Sequence, residues 1–129
     1  MNSHAMTSLA GVEAANEFFA PVFASADKDV FAVALCDTQA RAFALLSYPE
    51  GPQLAEIPVQ PLLSKAESSG CAGIVVAHYY ARAWGRPIAA DLDLANKLVN
   101  AAEPLDITLV DYMLFGDPPP FSFRRAGIL

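Results

Sequence analysis

The chain has 129 residues, of which 54% are hydrophobic and 17% are charged. This size and composition predict one folded domain with a sizeable core and exclude an intrinsically disordered chain. The formal net charge of −6 argues against a protein that binds nucleic acid by neutralising phosphates, because that mode requires a dense face of Lys and Arg.

The two cysteines and the ends of the chain indicate the cellular compartment. Cys36 and Cys71 fall in segments that we expect to be buried strands, where cysteine behaves as a small hydrophobe, and a disulfide is the less favoured alternative. The N-terminus lacks the pattern of a secretory signal, and the apolar runs are too short to cross a bilayer. We therefore expect a cytoplasmic protein with no membrane association, in which residues 1–7 form a disordered or tag-derived tail and residues 8–129 form the single domain.

The first half of the chain predicts one helix followed by a β-hairpin. Apolar residues recur at helical spacing over Ser8–Ala24, and Ser8 is a suitable N-cap. Val30–Cys36 is a short apolar run that ends at an Asp-Thr-Gln turn, and Ala42–Tyr48 follows it as a second strand.

The second half of the chain predicts two helices that alternate with strands. Pro61–Ser69 has a helical pattern that Gly70 ends, and Ala89–Ala102 is a second amphipathic helix, ended by Pro104. The predicted strands are Cys71–Ala77, which is apolar without alternation as in a strand covered on both faces, Ile107–Phe115 and Phe121–Phe123. Tyr79–Pro87 is expected to be a loop. The order of elements predicts an α/β fold, a mixed β-sheet with helices on both faces.

Several local strings in this order resemble the RadC-type JAB/MPN (JAMM) metalloprotease domain. Leu35–Gln39 is similar to the family's L-D-T-[KQ] turn, and Ala77-His78 ends a strand where the family has A-H-N-H-P-S-G. Asp91 lies thirteen positions after His78, as in the family's H-x-H…S-x-x-D motif. Two later strings, around Asp111-Tyr112 and at Phe121-Ser122-Phe123, also match. The resemblance implies a JAB/MPN, cytidine-deaminase-like architecture of bacterial type.

The resemblance also implies where a zinc site would lie and which of its parts this chain lacks. In the family, two histidines spaced i, i+2 at a strand end and an aspartate from the next helix bind zinc. His78 and Asp91 match, but Tyr80 replaces the second histidine and Ile88 replaces the serine that stabilises the reacting carbonyl. The general-base glutamate aligns with Leu45 or Leu46, and no carboxylate lies within two residues of that point.

These departures predict a degenerate, catalytically inactive member of the family, with a vestigial pocket at His78, Tyr80, Ile88 and Asp91. We expect no catalytic residue and no cofactor, and if any metal binds, its ligands are His78 and Asp91. The alternative is a zinc-dependent metallopeptidase or isopeptidase of the JAMM type. A link to DNA repair would come from the family association alone.

The loop after the central strand suggests an interaction site. Tyr79, Arg82, Trp84 and Arg86 are side chains suited to contacting a protein or peptide partner, and the chain could also form a homo-oligomer. The alternative is that the aromatic rings fill the volume that the metal would occupy. For His78 and for Asp111 we expect structural hydrogen bonds rather than catalysis, because such residues in strands are usually tied to a neighbouring donor or acceptor.

Overall fold

The strands and helices are taken from a computed structural model, which describes residues 7–48, 56–81, 88–116 and 119–129. The helices are α1 (Val12–Phe23), α2 (Val59–Ser68) and α3 (Ala89–Ala102), and a 3₁₀ turn at Glu103–Leu105 follows α3. The strands are β1 (Thr7–Ser8), β2 (Val30–Cys36), β3 (Arg41–Tyr48), β4 (Gly73–Tyr79), β5 (Thr108–Phe115) and β6 (Phe121–Ser122).

All six strands join one mixed sheet in the order β1-β3-β2-β4-β5-β6. The pair β4 and β5 is parallel, and the other neighbours are antiparallel. A parallel pair requires a crossover, and α3 provides it between β4 and β5. The described part of the chain therefore has the predicted α/β architecture, with β2 and β4 at its centre.

The sheet separates two apolar clusters, because side chains alternate between the faces of a strand. On β2, Phe31, Val33 and Leu35 pack in the cluster that includes α2 and α3, whereas the intervening residues pack in the cluster that includes α1. All seven residues of β2 are buried, which explains why its sequence is apolar without alternation. None of the helices in the described ranges has the length and apolar character needed to cross a membrane.

Several predicted boundaries differ from the structure: α2 is Val59–Ser68 where Pro61–Ser69 was predicted, and β5 begins at Thr108 and not at Ile107. Three further differences have a physical cause. Ser8 does not cap α1, because it belongs to β1 and pairs with Arg41 of β3, so the helix begins only after Gly11. Thr7 also belongs to β1, within the predicted tail. The central strand begins at Gly73 and continues to Tyr79, two residues beyond the predicted end, because β2 and β5 both pair with it there. The hairpin and the bounds of α3 are as predicted.

A shift in the β4–β5 register accounts for the buried Asp111. Ile74 pairs with Leu109 but Val75 pairs with Asp111, so Val110 is an extra residue in β5. The Asp111 carboxylate accepts hydrogen bonds from the Tyr112 and Arg124 backbone N–H groups and from the Ser122 hydroxyl, at 2.7, 3.0 and 2.5 Å. The expected structural role of Asp111 is confirmed.

Both cysteines are buried as free thiols. Cys36 packs in the α1 cluster and Cys71 in the α2–α3 cluster. Burial raises the pKa of the Cys36 thiol to about 12, and burial also raises the pKa of the Cys71 thiol. The thiolate is the reactive form, so both thiols are held in the unreactive form at neutral pH.

We therefore predict that neither thiol reacts with Ellman's reagent at pH 8 while the chain is folded. The measurement is the absorbance released per chain, first in buffer and then in guanidinium, where both cysteines should react. Rapid reaction of either cysteine in buffer would contradict the burial described above.

Candidate functional site

The pocket predicted from the family motif lies where β4, α3 and β5 meet. His78 is on β4 and faces α3, because it shares the strand face of Ile74 and Val76 in the α2–α3 cluster. Tyr80 follows the end of β4 and lies two residues on, so its ring projects to the same side. Asp91 is in the first turn of α3. The alternation of the strand and the start of the helix thus bring these residues together.

Three side chains donate hydrogen bonds to the Asp91 carboxylate. His78 Nδ1 is 3.0 Å from Oδ1, and the Tyr112 hydroxyl donates to the same oxygen at 2.7 Å. The Tyr80 hydroxyl donates to Oδ2. We call these four residues the Asp91 network. The predicted proximity of His78, Tyr80 and Asp91 is therefore observed, and Tyr112 joins them from β5.

Burial and hydrogen bonding act on Asp91 in opposite directions. Asp91 is completely buried, and desolvation alone would raise the pKa of its carboxyl group. The hydrogen bonds from His78, Tyr80 and Tyr112 outweigh that effect and lower the pKa below its usual value. Asp91 is therefore an ionised carboxylate at neutral pH, stabilised by protein donors.

The two tyrosines remain protonated under the same conditions. Burial raises the pKa of both phenols, and the neighbouring Asp91 charge raises them further. A phenol must lose its proton to become a good metal ligand. Tyr80 and Tyr112 are therefore hydrogen-bond donors in this pocket.

One atom of the network has no partner among the described residues. His78 Nδ1 faces the Asp91 carboxylate, which can only accept, so the proton of the His78–Asp91 hydrogen bond is on Nδ1. The other ring nitrogen, Nε2, is the one buried side-chain N or O atom in the described ranges without a hydrogen-bond partner. His78 itself is 2% exposed.

As arranged, these residues do not fit a zinc ion. Catalytic zinc usually has three protein ligands, each with a free lone pair directed at the metal. Here both Asp91 oxygens accept hydrogen bonds from neutral or histidine donors, and Tyr80 is protonated, so His78 Nε2 is the one free ligand atom of the network. No group of three His, Cys, Asp or Glu side chains within the described ranges is placed to share a metal ion.

The other positions implied by the family motif carry apolar side chains. Ile88 immediately precedes α3 and is 40% exposed, and its side chain has no group that could donate a hydrogen bond to an oxyanion. Of the two candidates for the base position, Leu46 pairs with Val33 and packs on the α2–α3 side, whereas Leu45 is on the other side. Neither leucine can accept a proton.

The row of side chains beside His78 is aromatic. Phe31 of β2 lies between Tyr48 of β3 and His78 of β4, with ring centroids 6.0 and 6.1 Å apart. The His78 and Tyr80 ring centroids are 4.2 Å apart. Among the described residues, this side of the pocket is thus formed by rings.

The predicted interaction loop is only partly within the described residues. Tyr79 stacks on Phe23 of α1, with ring centroids 5.2 Å apart, so its ring packs inside the domain on the face opposite the Asp91 network. Tyr80 belongs to the Asp91 network. Tyr80 is therefore in the pocket, as the alternative expected, whereas Tyr79 packs on α1, away from the volume that the metal would occupy. Arg82, Trp84 and Arg86 lie outside the described residues.

Two residues near the pocket have roles that the sequence analysis did not assign. Tyr112 was named only within a string that resembles the family, and its alternation with Leu114 on the site face could have indicated that its hydroxyl needs a buried acceptor. Asp29 accepts a hydrogen bond from the Ala81 backbone N–H at 2.9 Å, and its charge contributes to the raised pKa of Tyr80. A contact across 52 positions of the chain has no local signal.

Comparison with known proteins agrees with the fold. Residues 9–128 match the model of the RadC-like JAB domain. A UPF0758 protein of Acidithiobacillus ferrooxidans is 32% identical over 104 residues, which are 78% of this chain and 45% of that protein. A UPF0758 protein of Xylella fastidiosa is 29% identical over 116 residues, which are 89% of this chain and 52% of that protein.

The chain is a mixed α/β domain with the element order of a JAB domain. It belongs to the RadC-like JAB domain family. It spans about half the length of the curated relatives it matches.

The lowered pKa of Asp91 predicts a specific dependence of stability on pH. A carboxyl group whose pKa is lower in the folded than in the unfolded state stabilises the fold above the unfolded pKa of about 4, and this contribution is lost as the pH falls through the folded value. We therefore expect Asp91→Asn to be less stable than the wild type at pH 7, with a difference that narrows steadily below about pH 4.

The measurement is urea denaturation of both proteins from pH 7 to pH 3. Asp37→Asn is a suitable control, because Asp37 also has a lowered pKa from hydrogen bonds with Arg41 and Gln39 but lies at the surface. A difference between Asp91→Asn and the wild type that does not change with pH would show that Asp91 is not ionised in the folded chain.

Proposed function

We propose that this chain is a catalytically inactive member of its family that acts as a binding or interaction module. The observation that carries the proposal is the Asp91 carboxylate, whose two oxygens are occupied by three protein donors. In this arrangement the side chain that aligns with a metal ligand of the family is instead part of a hydrogen-bonded core.

The chemistry of metal-dependent hydrolysis supports the proposal. The reaction needs a positioned water, a group that accepts its proton and a donor for the developing oxyanion. The resemblance puts Leu45 or Leu46 at the position of the acceptor and Ile88 at the position of the donor, and none of these side chains has a polar atom. Loss of each part lowers the rate by orders of magnitude, so the losses together support inactivity.

A second candidate is a zinc-dependent metallopeptidase or isopeptidase, and one observation favours it. His78 Nε2 is buried and has no partner among the described residues. The ring is fixed by its other nitrogen, Nδ1, which contacts Asp91. A histidine oriented by a carboxylate through one nitrogen often binds metal through the other. A role in DNA repair rests on the family name alone.

We propose that the module binds a protein or peptide partner, or a second copy of the chain, in the cytoplasm. Its support is that the domain keeps its sheet and both apolar clusters while the catalytic positions have changed. The negative net charge favours a protein partner over nucleic acid. Trp84 and Arg86 are the residues of the loop that we would vary first, because aromatic and Arg side chains dominate many interfaces.

We predict that protein purified without chelator contains far less than one zinc ion per chain. EDTA should leave Tm unchanged, because a ligand that binds only the folded state stabilises it by mass action and its removal would lower Tm. Elemental analysis and a thermal melt with and without EDTA measure the two quantities. Near-stoichiometric zinc with a lower Tm in EDTA would favour the metallopeptidase.

Self-association is tested separately, by sedimentation velocity at several concentrations. If the chain forms a homo-oligomer through the loop, the double variant Trp84→Ala with Arg86→Ala should reduce the oligomer, whereas Asn100→Ala, on the exposed side of α3, should not. A monomer at every concentration would exclude a second copy as the partner.

A further inference from the structure

The two tyrosines of the Asp91 network occupy different surroundings. Tyr112 lies within β5 and is completely buried, and its ring stacks on Phe123 with centroids 4.7 Å apart. Tyr80 follows the end of β4 and is partly exposed at the rim. Their hydroxyls also contact different oxygens of Asp91.

We propose that the two tyrosines stabilise a metal-free pocket in two separate ways. Tyr112 cross-links β5 to α3 through Asp91, and the Tyr80 hydroxyl keeps cations away from the remaining carboxylate oxygen. The inference rests on the proposed function, since it assigns to the inactive pocket a structural role in this chain.

Water cannot take the place of the Tyr112 hydroxyl, because this part of the pocket is buried. Asp91 and Tyr112 are both 0% exposed, and the hydroxyl shares Oδ1 with His78 at 2.7 and 3.0 Å. A zinc ion held by the ligand positions of the family would join the end of β4 to α3 alone, whereas here two hydrogen bonds to one oxygen connect both β4 and β5 with α3. Removing the Tyr112 hydroxyl would leave a buried charge with fewer donors, which is costly.

Among the described residues, the Tyr80 hydroxyl is the closest donor to Oδ2, the Asp91 oxygen that His78 and Tyr112 do not contact. Oδ2 receives the Tyr80 hydroxyl and, beyond it, only a long 3.4 Å contact from the Ile88 backbone N–H. The Tyr80 ring lies against His78, whose Nε2 is the nearest free ligand atom. A cation bound between Oδ2 and His78 would have to displace this hydroxyl and the ring that carries it.

The two roles predict that variants of Tyr112 and Tyr80 rank in one order by loss of stability and in the reverse order by gain of zinc affinity. Tyr112→Phe should increase the unfolding equilibrium constant roughly tenfold to a hundredfold, as expected for a lost hydrogen bond to a buried charged group. Tyr80→Phe should increase it only several-fold, because Tyr80 is partly exposed and Oδ2 keeps the Ile88 backbone N–H as a donor. Tyr79→Phe is the matched control, since Tyr79 is the adjacent tyrosine and its ring packs on the opposite face of the sheet.

Zinc binding, measured by competition with a chromophoric chelator, should follow the reverse order. Tyr80→Ala should bind zinc measurably more tightly than the wild type, because it frees Oδ2 and leaves room for water ligands. Tyr80→His should bind zinc at least about tenfold more tightly than Tyr80→Ala, because the new histidine adds one further ligand. Tyr112→Phe should bind no more zinc than the wild type.

The proposal is overturned if Tyr80→Phe destabilises the chain more than Tyr112→Phe does, or if Tyr80→Ala binds no more zinc than the wild type. It is also overturned if Tyr112→Phe gains zinc as strongly as Tyr80→His. Zinc bound by the wild-type chain would instead contradict the proposed function, so the two failures are distinguishable. Because Tyr80→Ala and Tyr80→His are compared by zinc affinity and not by stability, a modest loss of stability does not obscure the result.

Discussion

The burial of one carboxylate is the constraint on which the pocket depends. A carboxylate fully removed from water is strongly unfavourable unless it is neutralised or fully hydrogen-bonded. Asp91 lies in the first turn of α3. This helix must pack on the sheet, because its residues Leu94, Ala95 and Leu98 are buried in the core of the domain. The sheet must therefore present donors at this point. His78, Tyr80 and Tyr112 provide them from the end of β4 and from β5.

The period of a β-strand determines which side chains can meet this requirement. His78 and Tyr80 are two residues apart and so lie on one face, and Tyr112 reaches the same carboxylate because β5 pairs in parallel with β4. The residue between them, Tyr79, faces the other way and stacks on α1. A single shift in register would place His78 in the α1 cluster and leave Asp91 without this donor. The shift at Val110, nearer the start of β5, is thus compatible with the pocket because the register is regular again from Asp111 onward.

Much of the fold and part of the pocket could be predicted from the sequence. The apolar runs of β2 and β4, the turn at Asp37 and the amphipathic pattern of α3 are local signals, and the family motif placed His78, Tyr80 and Asp91 together. Other features depend on distant pairing. β1 has only two residues and forms because β3 offers an edge, so Ser8 has no pattern of its own. The role of Tyr112 depends on the parallel register, and that of Asp29 on a contact with Ala81, far along the chain. No local periodicity encodes such contacts.

Under the proposed function, protein donors stand where the family has a metal, and this changes the balance of charge in the pocket. A zinc ion would bring two positive charges to Asp91, whereas two phenols bring none, so the carboxylate keeps its charge and is stabilised by hydrogen-bond dipoles alone. That arrangement can be stable only if the donors are already oriented when the helix docks, because no mobile ion can adjust to the carboxylate. The Tyr112 ring is oriented by stacking on Phe123, and the Tyr80 ring by its contact with His78. The aromatic surroundings of the pocket therefore contribute to the stability of the buried charge, because they fix the directions of the hydroxyls that donate to the Asp91 carboxylate.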